Sequence, residues 1–447
     1  MTDLPASSAP LTAHGADPLS GRFATPGDPA ISLRAVLLAA LTVGTSSFTR
    51  LRLSADVQRC IAGLRQLGVS IETSGPQTQV TGLGVAGLLK PEAPLQAGPS
   101  ATSLAMLLGL LAPYGFATAL RADPAVGKGI DPELLEGLTA IGARLERRGK
   151  SGLTLHGACL PLPLQLNLVT PAEATKTALL LAGLQLAGDS QLHQAMVARD
   201  HTEKLLAAFG ADITVTPDAD DGGGVTIRLA GLPELTPQAI SVPGDPSAAA
   251  FAIVAALIIK GSDVVVENVL INPLRTGLID TLLEMGGNIQ FLNQRETAGE
   301  HIADLRVRSS WLKGVRVDQR HLESMRDDMA MLAVAAAFAE GETVIHTGAA
   351  ASNGDPWERL SAGLRANKVK LRQEPGSLSI VGDGKVAGGG KVDCQDDPVM
   401  AMSFAVLGLA SRHKVTIENV GPMADSFPDF VAAMTALGGR FPPSKGR

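Results

Sequence analysis

Residue types able to do chemistry are few and scattered in this chain of 447 residues. Cys60, Cys159 and Cys394 are its three cysteines, too far apart for a disulfide framework or a paired-cysteine metal knuckle. His201 has no second His, Cys or carboxylate at ligand spacing, which argues against a metal site. Asp327, in Met325-Arg326-Asp327-Asp328, offers a carboxylate base, but aspartate is equally at home capping a helix. Arg34, Arg199 and Arg359 are of the type that grips phosphates and carboxylates. Arginines without such partners are more often solvated or structural. These residues need a scaffold before they name an activity.

Composition bounds that scaffold. Hydrophobic residues make up 45% and charged residues 18%, enough apolar surface for large cores and too much for wholesale disorder. The length suggests two or three domains. A net charge of −6, 3% aromatics and no Lys/Arg-rich run argue against nucleic acid or an anionic membrane as partner. No stretch is long enough for a membrane helix, and residues 1–18 read as a frayed tail rather than a signal peptide. A reducing cytoplasm is the expected compartment.

Six times an apolar, small-residue helix is followed by a second helix and then a strand. The first helices contain Val36 to Leu41, Met106 to Ala112, Ala178 to Leu184, Phe251 to Ile258, Met331 to Phe338 and Met402 to Ala410. The second helices stop at Gly68, Gly142, Gly210, Gly286, Lys368 and Gly438. Glycine accepts the left-handed conformation that closes a helix; in the fifth copy Asn367 is expected to take that position. A period of about 70 to 80 residues suits a βαβαββ unit, and six units imply two half-molecules of three. Thr25-Pro26-Gly27-Asp28-Pro29 and Ser241-Val242-Pro243-Gly244-Asp245-Pro246 look like two chain crossings. The expected division is residues 19–27 plus 242–447 for one discontinuous domain and 28–241 for the other, with a ligand cleft between them.

Several strings resemble the EPSP synthase family, which transfers the enolpyruvyl group of phosphoenolpyruvate to shikimate 3-phosphate in aromatic amino-acid biosynthesis. They are Ala198-Arg199-Asp200-His201-Thr202-Glu203-Lys204, Val242-Pro243-Gly244-Asp245-Pro246-Ser247, Asn272-Pro273-Leu274-Arg275-Thr276-Gly277 and Ser426-Phe427-Pro428-Asp429-Phe430. The resemblance runs from about Leu19 to Phe441 and implies an α/β, inside-out barrel fold of six βαβαββ repeats in two domains. Asp304 to Ser310 and Ala101 look most like the glyphosate-tolerant bacterial class. The implied ligands are two small anions, with no cofactor.

The resemblance carries Asp327 over as general base and Arg34, Thr102, Arg199 and Arg359 as substrate-binding residues. Elsewhere the family's cations are replaced. Its PGDKSxSxR motif reads Pro26-Gly27-Asp28-Pro29-Ala30-Ile31-Ser32-Leu33-Arg34, and Ala105, Gly129, Asp355 and Val399 stand at four further cationic positions. Glu173, in the segment that implies a phosphate seat, adds negative charge, and Asp425 replaces a cation found in many members. A hydrogen bond to a charged group contributes roughly 1.5 to 3 kcal/mol, so five losses amount to about 8 to 15 kcal/mol if they added. Micromolar binding is only about 8 kcal/mol. The expectation is a divergent member with impaired or absent transfer. The alternatives are a working 3-phosphoshikimate 1-carboxyvinyltransferase with compensating contacts and a noncatalytic protein that partners another synthase.

Overall fold

Asp-Pro pairs start many of the helices. Asp28, Asp123, Asp131, Asp245 and Asp397 each accept a backbone N–H with the side chain, and the proline that follows opens the helix, where its missing N–H costs nothing. The computed structural model describes residues 9–218, 223–346 and 356–442. All six apolar segments read from the sequence fall in helices: Pro29–Ala40, Ala101–Leu111, Glu173–Gly183, Pro246–Ile258, Met329–Phe338 and Pro398–Ala410. Their residues are buried nearly all round, as expected of helices without a polar face. No helix among the described residues is long and apolar enough to cross a membrane.

The second helices are Ala55–Gln66, Pro132–Ile141, His201–Ala208, Gly277–Glu284, Pro356–Ala366 and Phe430–Ala436. Five are followed by a left-handed glycine, with φ of 94° at Gly68, 96° at Gly142, 90° at Gly210, 89° at Gly286 and 111° at Gly438. In the fifth, Lys368 and not Asn367 takes this conformation, with φ 67°. Lys368 stands where the other five repeats have their glycine, and the fully buried Asn367 side chain donates to Gly363 O at 2.9 Å and accepts from Gly390 N–H at 3.0 Å.

The strands form six sheets, one for each repeat. The chain divides into two compact units, Gly27–Pro243 with Glu296–Glu300, and Met1–Pro26 with Gly244–Arg295 and His301–Arg447, as far as these are described. Three sheets belong to each. In the unit built on Gly27–Pro243, the sheet order is Ala239–Ser241, Val43–Thr49, Gln77–Leu83, Ser70–Ser74, with the first pair parallel and the others antiparallel. The other two sheets repeat that order with Leu95–Gly98 and Gln165–Leu168 as parallel edge strands. Helix Ala101–Leu111 packs on Glu173–Gly183 so closely that a Cβ on Gly109 would lie 2.0 Å from Ala178 O.

In the other unit Ser20–Ala24 pairs in parallel with Asp263–Leu270. The fifth repeat lacks a regular parallel edge strand; Lys313 and Arg316 make isolated parallel bridges to Glu340 and Val344 instead. Leu11–Ala13, inside the stretch expected to be a frayed tail, pairs antiparallel with Val415–Glu418 and completes the sixth sheet. Ala13 is fully buried there, so apolar burial and ladder hydrogen bonds hold part of this segment. The unit boundaries fall inside the two Pro-Gly-Asp-Pro strings, with Gly27, Val242 and Pro243 on the side of residues 28–241. Sequence reading missed the excursion Glu296–Glu300, the tip of the hairpin between Asn288–Thr297 and Glu300–Arg308.

Candidate active site

Three helix N-terminal regions of the Gly27–Pro243 unit bring the charged residues of its candidate site together. Arg34 lies in the second turn of Pro29–Ala40 and is buried, its side chain 2% exposed. Its Nε donates to Thr202 Oγ1 at 2.9 Å, Nη1 to Ala30 O at 2.9 Å, and Nη2 to Glu173 Oε1 at 2.7 Å and Thr177 Oγ1 at 3.0 Å. Four of the five donors a guanidinium carries are thereby directed at protein acceptors. Glu173 is also 3.9 Å from Arg199 Nη1. Glu173 therefore faces two guanidiniums, and much of the charge on each side is neutralised locally.

Lys176, one turn further along Glu173–Gly183, is fully buried. Its ammonium donates to Glu203 Oε1 at 2.6 Å, Arg199 O at 2.7 Å and Ala198 O at 3.2 Å. Burial pushes the Glu203 carboxyl above its ordinary range despite the attraction of Lys176. Thr177 and Thr202 share a hydrogen bond of 2.7 Å beside Arg34. Thr102, in the first turn of Ala101–Leu111, is half-buried on a different helix.

His201 has no carboxylate partner legible in the sequence, yet the fold supplies one from 99 residues away: Glu300 Oε1 lies 2.5 Å from His201 Nδ1, both side chains fully buried. With Asp200 they bring three candidate ligand atoms within 4.8 Å of one another. A cation is already there, because Lys204 Nζ lies 3.0 Å from Asp200 Oδ2 and 3.3 Å from Glu300 Oε2. Burial and these two carboxylates act on the Lys204 ammonium in opposite directions, and the carboxylates prevail, raising its pKa. The cluster is better satisfied as a lysine-neutralised pair than as a metal centre.

In the other unit, Asp245 caps Pro246–Ile258, and Arg275 Nη2 reaches its Oδ1 at 3.1 Å and Ser247 Oγ at 3.3 Å. Asp328 completes this group from the start of Met329–Phe338, buried and hydrogen-bonded by the Ser247 hydroxyl. Burial pushes its pKa up to about 7, with Arg275 opposing and Asp245 and Asp327 reinforcing the rise. Asp327 itself is exposed in the turn Arg326–Asp328. Arg359 donates to Gln395 Oε1 at 3.3 Å.

The positions at which the sequence resemblance implies a cation lie as follows. Pro29 opens a capped helix, Val399 lies in the first turn of another, and Ala105 is buried. Gly129 ends the short helix Pro124–Lys128, and Asp425 is exposed in Met423–Ser426. Asp355 lies outside the described residues. Arg34, Glu173, Lys176 and Thr202 converge, and Asp245, Arg275 and Asp328 converge. Lys176 and Asp328 escaped the sequence reading, although a lone lysine before Ala178-Leu179-Leu180-Leu181 was a signal of a paired buried charge.

The comparisons with known proteins cover nearly all of these elements. The family model for EPSP synthase (3-phosphoshikimate 1-carboxyvinyltransferase) matches residues 13–434. A protein of Parvibaculum lavamentivorans named 3-phosphoshikimate 1-carboxyvinyltransferase is 41% identical over 444 residues, covering 97% of both chains. One of the same name from Methylobacterium sp. is 41% identical over 97% of this chain and 98% of its own. The solved EPSP synthase of Acinetobacter baumannii superposes with a TM-score of 0.89 at 30% identity, over 97% of this chain and all of the other. Similarity of that extent, through all six repeats and both crossings, means that the chain belongs to the EPSP synthase family.

Proposed function

We propose that the chain is a cytoplasmic enolpyruvyl transferase that takes phosphoenolpyruvate and shikimate 3-phosphate, with turnover well below that of its relatives. The reaction class is supported by the 41% identity, over 97% of both chains, to a protein named 3-phosphoshikimate 1-carboxyvinyltransferase. The low rate rests on one observation above all: Arg34, the remaining cation of its motif, is buried with four donors directed at Thr202, Ala30, Glu173 and Thr177. To clamp a phosphate it must give up these partners, whereas a preorganised site holds its donors ready. Asp327 is exposed and takes the proton of the attacking hydroxyl in this reading. Arg34, Thr102, Arg199 and Arg359 are its substrate-binding residues, and tolerance of glyphosate goes with the resemblance at Ala101.

A second reading is a synthase of ordinary rate. The whole-chain identity favours it, and so do Lys128 and Arg326, exposed cations one residue from Gly129 and Asp327. The comparisons lend no support to a noncatalytic partner. The test is phosphate release from both substrates, with Asp327→Asn as control. Slow release that the substitution abolishes bears out the first reading. A rate like that of the Parvibaculum relative measured alongside establishes the second, and no release at all refutes both.

A further inference from the structure

The fifth repeat carries a feature that the transferase reading does not use. Five repeats end their second helix on a left-handed glycine, but this one holds Lys368 at φ 67°, a conformation that L side chains resist. Lys368 lines a cavity of about 220 Å³ together with Lys370, Lys385 and Arg412, over a floor that includes the buried Val369 and Val386. Asp383 is the one carboxylate in the lining.

The walls are fixed by the backbone. Asn367 ties the loop through Gly390 N–H and accepts Gly388 N–H on its carbonyl at 3.3 Å. Arg412 N–H donates to Val386 O at 3.1 Å and His413 N–H to Ala387 O at 2.9 Å, seating Arg412 beside the loop that carries Lys385. Four cations facing one carboxylate attract a compact group bearing more than one negative charge, and a phosphate monoester carries about −1.5 to −2 at neutral pH. The concave shape and apolar floor suit a small molecule rather than a flat anionic surface.

We infer that this cavity is a binding site for a small phosphorylated organic anion, to which Lys368 contributes one of the four cations. The test is calorimetric titration of the full chain with inorganic pyrophosphate at two salt concentrations, repeated on Lys368→Gly and Lys385→Gln. The wild type binds saturably and more weakly at the higher salt. Each substitution weakens binding about tenfold, the scale of one lost charged hydrogen bond. Glycine relieves the backbone, so Lys368→Gly melts at the same or a higher temperature while binding less, which separates lost recognition from lost folding. Absence of saturable binding overturns the inference. So does binding that both variants retain in full, which would belong to another site such as that around Arg34. Adsorption to phosphatidylserine vesicles that pyrophosphate does not compete away also overturns it, by making the patch a lipid contact.

Discussion

Replacing Asp328 by asparagine tests the electrostatics of the second charged cluster. Asp328 is 3% exposed, and its pKa is pushed up to about 7 from an ordinary 3.8. One pKa unit corresponds to about 1.36 kcal/mol, so the shift is worth roughly 4 kcal/mol at most between the two protonation states. The sign follows from proton counting. Between about pH 4 and pH 7 the folded protein keeps a proton that the unfolded chain has released, so raising the pH lowers stability. That contribution is whole below about pH 4 and gone above about pH 7. The amide introduced by Asp328→Asn is a permanent stand-in for the neutral acid, of nearly equal volume and able to accept from Ser247. Urea unfolding of wild type and Asp328→Asn at four values from about pH 5 to pH 8 should therefore show the variant gaining about 2 to 3 kcal/mol on the wild type from the lowest to the highest pH. Most of the gain should come before about pH 7. A difference that stays constant across this range would refute the assignment, as would a variant that loses ground at the highest pH, because Arg275 would then need the charged form.

Lys176→Met should cost about 3 to 5 kcal/mol in urea unfolding by stranding Glu203, while Lys176→Met with Glu203→Leu should recover most of the loss. Equal losses in both would mean that packing and not charge sets the penalty. Glu173→Gln removes the carboxylate 2.7 Å from Arg34 Nη2 and should tighten shikimate 3-phosphate binding about tenfold by calorimetry. Unchanged affinity would show that Arg34 does not face the ligand. Asp397→Ala removes the side chain that accepts Met400 N–H at 3.0 Å and should cost about 1 kcal/mol, read as a melting temperature lower by a few degrees.

Pro29 opens a helix behind the capping Asp28, and Ala105 is a buried alanine in an apolar helix, so both residues serve stability where they stand.

The repeat architecture was legible in the sequence because it depends on local physics. Small apolar helices and terminal glycines recur wherever the same unit recurs, so all six helix pairs could be read without coordinates. The side-chain bond of Asn367 to Gly390, 23 residues on, was not legible, because only the fold shows that this side chain is occupied. The charge pairs were still less accessible. Arg34 meets Glu173 across 139 residues and His201 meets Glu300 across 99, with no periodicity linking them. Burial decides whether such a group is charged, and burial belongs to the packed structure. The sequence by itself determined which residues form each repeat. Only the tertiary structure decided which charges are neutralised, because electrostatic partners are chosen by distance in space and by the water that packing removes.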